Sequence, residues 1–574
     1  VTPRQMHGFM ETEGGWAAPD GPQNDGILVC AGGQHGARDR LQLSRILDLP
    51  EDKIRVISSP TGGAFGGKDE LTVQPVLALL ARKSGRAVRL HLSRAESVQA
   101  GTKRNPMRIR MKTGCDATGR LVAQEVDVLS DCGAYASLSP GVLETAMEHA
   151  AGPYVIENIQ TRGRLAYTNN GTCGAFRGFG ANQMSYAIEC QMDRLAAKAG
   201  LDLIKIRRLN MRVPGSPGYL GQRVAPSERL LEMLDAASSS PLWNTRETNP
   251  DEIIGTGMAL NYQGNGLGTL PEDEAEFALR LKNGKIEALC GLDEMGQGLI
   301  ASLHAETATR LGVARDDIRA VFGDTGTAPD SGSTTASRGG YVVWRGIKET
   351  APAFETELLS QAGAKLGLPP AELRLVPGGI GARGANTPTP LLRFDAMADS
   401  ATFTTQFSFP KSDYTKGNAR FIFAFAATLA RVAVNRVSGQ VRTLDLEMHT
   451  AAGPVIDMAS YLGQMEGGLI QGLGFTLTED VLMQNGYPVT TNFDSYMMPT
   501  LRDVPNTMRI TALEELDPGD PHGPRGAGEL GIGAVTPAIA NAVFDAIGRW
   551  PVVTPFAPES LLDVIAFSEA EAQT

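Results

Sequence analysis

Apolar residues spaced two apart and broken by turn dipeptides recur along this chain. Phe277, Leu279 and Leu281 occupy every second position, Asn283-Gly284 interrupts them, and Ile286 resumes the pattern, which predicts a β-hairpin. The same signature surrounds Thr118-Gly119, with Ile109 and Met111 before it and Val122, Val126 and Val128 after. It returns around Ser438-Gly439, between Val432 and Val434 and then Val441, Leu444 and Leu446. Helical spacing takes over from Ala181 to Ala199, where Met184, Ile188, Met192, Leu195 and Ala199 fall three or four apart and Gly200 supplies a stop. A second helix is predicted to start with Thr536 as cap and Pro537 in the first turn. Shorter ones are predicted over Ala301 to Leu311 and Gln464 to Leu473.

Hairpins mixed with separate helices predict an α+β fold rather than a doubly wound parallel sheet. The polar stretch Ser238 to Asp251 is the best internal boundary and divides the chain into two large mixed lobes, residues 1–240 and 241–574. Pro377 to Pro390 reads as a loop-rich connector within the second lobe. The longest apolar stretch, Phe421 to Ala430, ends at Arg431 and is too short to cross a bilayer, so no membrane span is predicted.

Composition narrows the chemistry. Of 574 residues, 42% are hydrophobic and 20% charged, which suits a chain that buries a large core. A net charge of −11 argues against nucleic acid as a partner. The six cysteines include no C-x-x-C pair, so no iron-sulfur cluster or structural zinc is encoded, and free thiols suit a reducing cytoplasm. The seven histidines lack metal-ligand spacing, and no G-x-S-x-G elbow is present. The chain starts at Val1 without a charged-then-apolar leader, as expected of a fragment or a processed piece.

The 66 glycines draw the eye to particular loops. Gly62 to Asp69 has the spacing of a nucleotide-triphosphate loop, but Asp69 stands where a hydroxyl should meet magnesium, so that reading is rejected. Gly526 to Gly531 matches G-x-G-x-x-G, yet the run Pro518 to Pro524 before it cannot be the strand a dinucleotide fold needs. What remains there is a carboxylate, Glu529, among glycines ahead of a helix; a capping, a solvated and a functional acid all fit. Gly-rich turns feed helical patterns at Gly178-Phe179-Gly180, Gly296-Gln297-Gly298, Gly463-Gln464 and Gly526 to Gly533. Converging helix N-termini would hold an anionic cofactor without many Lys or Arg side chains. Arg177 between Phe176 and Phe179 suits a planar, polar ligand, and equally an arginine with a packed stem.

Six blocks in one order, GGAFGGKDE (62–70), GAFRGFGANQ (174–183), EMGQGL (294–299), SGSTTAS (331–337), GQMEGGLIQGLG (463–474) and RGAGELG (525–531), resemble the molybdenum-binding subunit of the xanthine dehydrogenase and aldehyde oxidase family. The likeness runs over essentially the whole chain and is strongest to bacterial, separately encoded xanthine dehydrogenase subunits. It implies hydroxylation, with water as oxygen source, of a purine-like aza-heterocycle. An aldehyde, a nicotinate-type heterocycle, or a non-catalytic role as cofactor carrier are the alternatives. It implies molybdenum held by the dithiolene of a molybdopterin dinucleotide, in the cytosine form, with no direct protein ligand. Iron-sulfur (2Fe-2S) and FAD groups are expected on partner subunits, in a dimer of heterotrimers. A small α+β domain precedes this segment in the family and is absent from this sequence.

By the same resemblance Glu529 is the catalytic base, Gln34 reaches the metal's apical oxygen, Arg177 orients the substrate and Phe179 packs on its plane. Phe65, Gly66, Gly296, Gln297, Ser337 and Gln464 fall on cofactor-contacting positions. Two substrate positions depart from the mammalian-type pattern: Asp69 stands in place of Glu and Thr145 in place of a second arginine. The Cys173 to Arg177 loop runs one residue out of step with the cysteine loop of molybdenum-copper carbon monoxide dehydrogenases, against that activity.

Overall fold

The computed structural model describes the chain except residues 24, 59, 227–228, 246–248, 270–271, 518–519, 564 and 566–574. Parts of the Ser238 to Asp251 boundary and of the Pro518 to Pro524 run therefore lie outside the described residues. At the centre is a four-stranded sheet ordered Thr507–Leu513, Val441–Ala451, Ile422–Asn435, Glu252–Asn265. Its strand Ile422–Asn435 is buried on both faces. Phe423, Phe425, Ala427 and Leu429 enter one apolar cluster with Met192, Leu230 and Leu234, while Ala424, Ala426, Ala430 and Val432 enter another with Ala538, Ile539 and Ala542. Burial on two sides is why Phe421 to Ala430 reads as a continuous apolar run rather than an alternation. Each fully buried phenylalanine contributes about 1.5–3 kcal/mol by removal from water.

Helix Ala181–Ala199 has the bounds its periodicity predicts and ends on a left-handed Gly200. Its Glu189 forms a fully buried ion pair with Arg207 at 2.9 Å, and accepts from the main-chain N–H of Leu260, which ties this helix to the central sheet. Helix Val535–Ile547 covers the other face. Here the expected cap is corrected: Ala534 is the cap, and Thr536 sits inside the first turn with its hydroxyl 2.8 Å from that of Thr476. The window Leu530–Ile547 has the length and hydropathy of a membrane span, unlike Phe421 to Ala430, but 78% of it is buried as a core helix.

All three hairpins form. Asn283 and Gly284 both take positive φ (50° and 72°), the requirement of a two-residue turn whose twist matches its strands, and join Glu274–Lys282 to Lys285–Cys290. Those strands belong to a sheet with Ile318–Phe322 and Phe403–Ser408, backed by helices Leu299–Leu311 and Gly339–Leu366. Pro377 to Pro390 is not wholly loop, since Gly379–Ala382 pairs with Leu373–Val376. Two further sheets lie earlier in the chain, Ile54–Ile57/Gly26–Ala31/Gly14–Asp20/Val88–His91 and Met107–Cys115/Leu121–Gly133/Asn158–Tyr167. Antiparallel pairs dominate with a parallel pair at several edges, an α+β arrangement with no barrel among the described residues.

Candidate active site

A cavity of about 1510 Å³ is lined by residues from all six sequence blocks. Small-molecule pockets hold about 300–1,000 Å³, so this one accommodates a substrate together with a bulky group. Gln34, Phe65, Gly66, Asp69, Thr145, Arg177, Phe179, Gly296, Gln297, Ser337, Gln464 and Glu529 all line it. Four of the lining residues, Phe65, Phe179, Ala336 and Ser337, hold positive φ between 42° and 53° although they carry side chains. Such backbone costs about 1–3 kcal/mol each and persists where the surroundings impose it.

Glu529 sits at the entry to the short 3-10 turn Leu530–Ile532. One carboxylate oxygen accepts the main-chain N–H of Gly178 at 3.0 Å and the other accepts the Ser337 hydroxyl at 3.0 Å, while the Glu529 N–H donates to that same hydroxyl oxygen. The loop fits only because residue 526 is glycine: a Cβ there would lie 1.3 Å from the Ser337 carbonyl oxygen. Burial pushes the Glu529 carboxyl above the ordinary range, and the Gly178 N–H, the Ser337 hydroxyl, Arg420 and Arg177 pull it partly back. The result is a carboxylate more basic than usual.

Arg177 is buried and spans distant parts of the chain. Its guanidinium donates to the Gly528 carbonyl and, at 2.8 Å, to the Gln464 carbonyl, so it clamps the loop carrying Glu529. Burial lowers its pKa to about 10, which leaves it charged at neutral pH. Arg104, which the sequence did not single out, holds this clamp in turn. It stacks on Phe176 at 3.8 Å and donates to the Arg177 carbonyl at 2.9 Å. Gln34 accepts the Gly66 N–H at 3.0 Å and donates to the Thr334 carbonyl at 3.2 Å. Asp69 lies against Arg38, and burial raises it to about 6 against that cation. Lys68 donates to the Glu11 carbonyl at 2.8 Å, an internal use that agrees with rejecting a phosphate role for this loop.

Two expected helix N-termini are corrected. Gly463 and Gln464 lie inside helix Met458–Leu477, whose start is capped by Asp457. The turn before Leu299–Leu311 is filled by Glu294, whose carboxylate accepts from Gly296, Gly298 and Ile300, and the Gln297 amide folds back on Asp293 and Met295. At the cavity the helices Gly36–Leu47, Ser139–Glu148 and Gly339–Leu366 start without a side-chain cap, whereas the first residues of Ala181–Ala199 and Val535–Ile547, expected there from the sequence, do not line it. Gly296, Gly340 and Gly463 also line it, with no protein atom within 4 Å of where a Cβ would stand. Uncapped helix N-termini with room left at the glycines fit a large anionic cofactor. Among the described residues no cluster of His, Cys, Asp or Glu could hold a metal directly.

Thr145 carries no charge, yet a guanidinium stands beside it. Arg420, from just ahead of strand Ile422–Asn435, donates to the Thr145 hydroxyl at 3.2 Å and to the Gly266 carbonyl at 3.1 Å, and pairs with Glu148. No motif marks Arg420 in the sequence, because its partners are about 150 and 275 residues away along the chain.

Two models of the molybdopterin cofactor-binding domain match residues 1–211 and 232–505. The chain is 44% identical to a probable xanthine dehydrogenase subunit of Bacillus subtilis over 98% of its own length and 75% of that protein. It is 26% identical to the probable hypoxanthine oxidase of Escherichia coli O157:H7 over 94% of this chain and 57% of that one. The aldehyde oxidoreductase of Desulfovibrio gigas superposes with a TM-score of 0.83 at 23% identity, over 98% of this chain and 60% of that one. The chain thus spans three quarters of the first and under two thirds of the other two. It belongs to the molybdopterin cofactor-binding family, within the xanthine dehydrogenase and aldehyde oxidoreductase class of molybdenum oxidoreductases.

Proposed function

We propose that this chain hydroxylates a ring carbon next to nitrogen in a purine-like heterocycle of the xanthine or hypoxanthine type. The C–H bond is replaced by C–OH with oxygen from water, and two electrons and two protons leave. The observation that carries the reading is the Glu529 carboxylate, held between two neutral donors, raised in basicity and open to the cavity. The names of the Bacillus and E. coli relatives support the purine class. When bound, a molybdopterin cofactor supplies the two-electron acceptor and the activation of the water-derived oxygen. The cytosine dinucleotide form is our assignment.

The uncapped helix N-termini and the open glycines would hold the cofactor's anionic parts, and Gln34 would meet it from the Gly66 loop. Glu529 takes the proton released as the C–O bond forms. Arg177 keeps the Glu529 loop in place and adds positive potential where negative charge develops. Phe179 offers a flat apolar face to a ring. Electrons pass to partner subunits bearing iron-sulfur and FAD groups, in keeping with relatives named as separate subunits. The unpaired cysteines agree with a cytoplasmic site.

Dye reduction by the complex loaded with cofactor, run on hypoxanthine, xanthine, nicotinate and benzaldehyde, tests the reading. The purines should give the highest kcat/KM, and a higher value for benzaldehyde would refute the purine assignment.

A further inference from the structure

In the acidic run Glu272-Asp273-Glu274 the two glutamates are exposed, but Asp273 between them is 1% exposed. Its carboxylate forms a fully buried ion pair with Arg338 at 2.8 Å, and its other oxygen accepts the Leu267 N–H at 2.7 Å. The Arg338 guanidinium donates to the Ser331 and Ser333 carbonyls at 2.7 and 2.9 Å and to the Glu274 carbonyl at 3.0 Å. The loop closes around it only because residue 332 is glycine, where a Cβ would lie 2.8 Å from Arg338 Nη1. Taking both charges out of water offsets much of their attraction, so net stability alone does not account for such a pair.

The pair stands where the parts that hold Glu529 meet. Strand Glu252–Asn265 ends at Asn265, whose side chain exchanges two hydrogen bonds with Gly526 at 3.1 and 2.9 Å. The next N–H, from Gly266, donates to the Ala336 carbonyl at 2.8 Å. Two successive residues thus anchor the loop that carries Glu529 and the Ala336-Ser337 turn whose hydroxyl meets it. Asp273 packs against this point, since a Cβ on Gly266 would lie 2.9 Å from its Oδ2. Ala336 and Ser337 hold φ of 49° and 50°, a backbone that side chains disfavour and that persists only where the surroundings impose it. What surrounds them is Gly266 at the Ala336 carbonyl and Arg338 as the next residue along the chain.

We propose that Asp273 and Arg338 are positioning residues for the base: their ion pair clamps the Ala336-Ser337 turn and so aims the Ser337 hydroxyl at the Glu529 carboxylate. The assignment rests on the reading of Glu529 as the base and deepens it. The charged groups within electrostatic reach of Glu529 are Arg177, Arg420, Arg104 and Asp69. Of these, Arg420 also donates to the Gly266 carbonyl at 3.1 Å, so it is left in place in every variant below. The sign of the effect separates aim from charge. Losing the Ser337 bond disfavours the charged form of Glu529 and moves the acid limb of activity to higher pH, whereas losing a nearby negative charge favours that form and moves the limb to lower pH.

The test uses the complex with its cofactor and partners, and follows kcat/KM against pH for whichever substrate of the dye assay turns over best. The paired change Asp273→Asn with Arg338→Gln removes one charge of each sign, so the net charge is unchanged and only the clamp is lost. It should move the acid limb to higher pH as Ser337→Ala does, with a loss of about 3–10-fold on that limb and less than about 2-fold on the plateau. In a Ser337→Ala background the same pair should move the limb no further, because both act through one hydroxyl. Arg338→Lys keeps the charge but not the fork that holds Ser331 and Ser333, and should give a smaller shift of the same sign. Thermal melting and molybdenum content check that each variant folds and loads, and Arg338→Lys carries the test if the paired change does neither. Parental turnover by Glu529→Gln overturns the base reading and this assignment with it. With Glu529→Gln inactive, a limb that stays put, moves to lower pH, falls equally at every pH or shifts further in the Ser337→Ala background overturns this assignment alone.

Discussion

The corner around Glu529 and the wall around Arg420 treat a buried charge in opposite ways. Glu529 is held by a main-chain N–H and a hydroxyl, both neutral, so its proton affinity stays high and its oxygens remain open to the cavity. Arg420 is closed by a carboxylate, with side-chain exposures of 8% and 4% for the pair, which fixes its position. The difference teaches what each region is suited to. Neutral donors leave a base able to take a proton, and an ion pair holds a cation rigidly in place.

The sharpest way to break the comparison is at the base. Glu529→Gln keeps the shape and the Gly178 bond but removes the proton acceptor, so kcat in the complex loaded with cofactor should fall about 1,000-fold or more while molybdenum content is unchanged. Near-parental turnover would remove Glu529 from the chemistry. The matching change on the other wall is Glu148→Gln. It leaves Arg420 buried without its counter-charge, and denaturant unfolding should show a loss of about 3–5 kcal/mol. Parental stability would mean that Arg420 is solvated rather than locked.

A smaller effect sharpens how the base is tuned. The Ser337 hydroxyl favours the charged form of Glu529, so Ser337→Ala should raise the Glu529 pKa further. The acid limb of kcat/KM should then move to higher pH, with a loss of about 3–10-fold measured on that limb. An unmoved limb would show that Ser337 does not tune Glu529. The smallest effect concerns Asp69. Its folded pKa, raised to about 6, exceeds the unfolded value, so the native state binds this proton more tightly. The associated stability is present below about pH 4 and lost as pH rises through about 6. Asp69→Asn should therefore match the parent near pH 4 and exceed it in stability at pH 7, in unfolding curves measured at both. A variant no more stable at pH 7 would show that Arg38 already offsets the burial of this carboxyl.

The same contrast decides what could be read from sequence. The loops around Arg177 and Glu529 stand out as glycines at fixed spacing, while the roles given to Glu529, Arg177 and Gln34 come from the family resemblance. The hairpins at Asn283-Gly284 and Ser438-Gly439 were legible for the same local reason. Helix starts were less so. Asp457 and Glu294 cap turns that seemed free for a ligand, and Thr536 prefers Thr476 to its own helix end, choices made by contacts no local pattern encodes. Arg420 was invisible. A lone arginine before an apolar run acquires meaning only when the fold lays its stem over Gly264 and its guanidinium beside Thr145. The departure at Thr145 was the one signal that a charge was missing there and had to be sought elsewhere.

The central claim is that this cavity holds a molybdenum cofactor with Glu529 facing it. Anomalous diffraction at the molybdenum edge, on crystals of the loaded complex, tests it most directly. The account predicts a single strong peak inside the cavity beside Glu529 and Gln34. A peak elsewhere in the chain, or none in a preparation that turns over substrate, would contradict it.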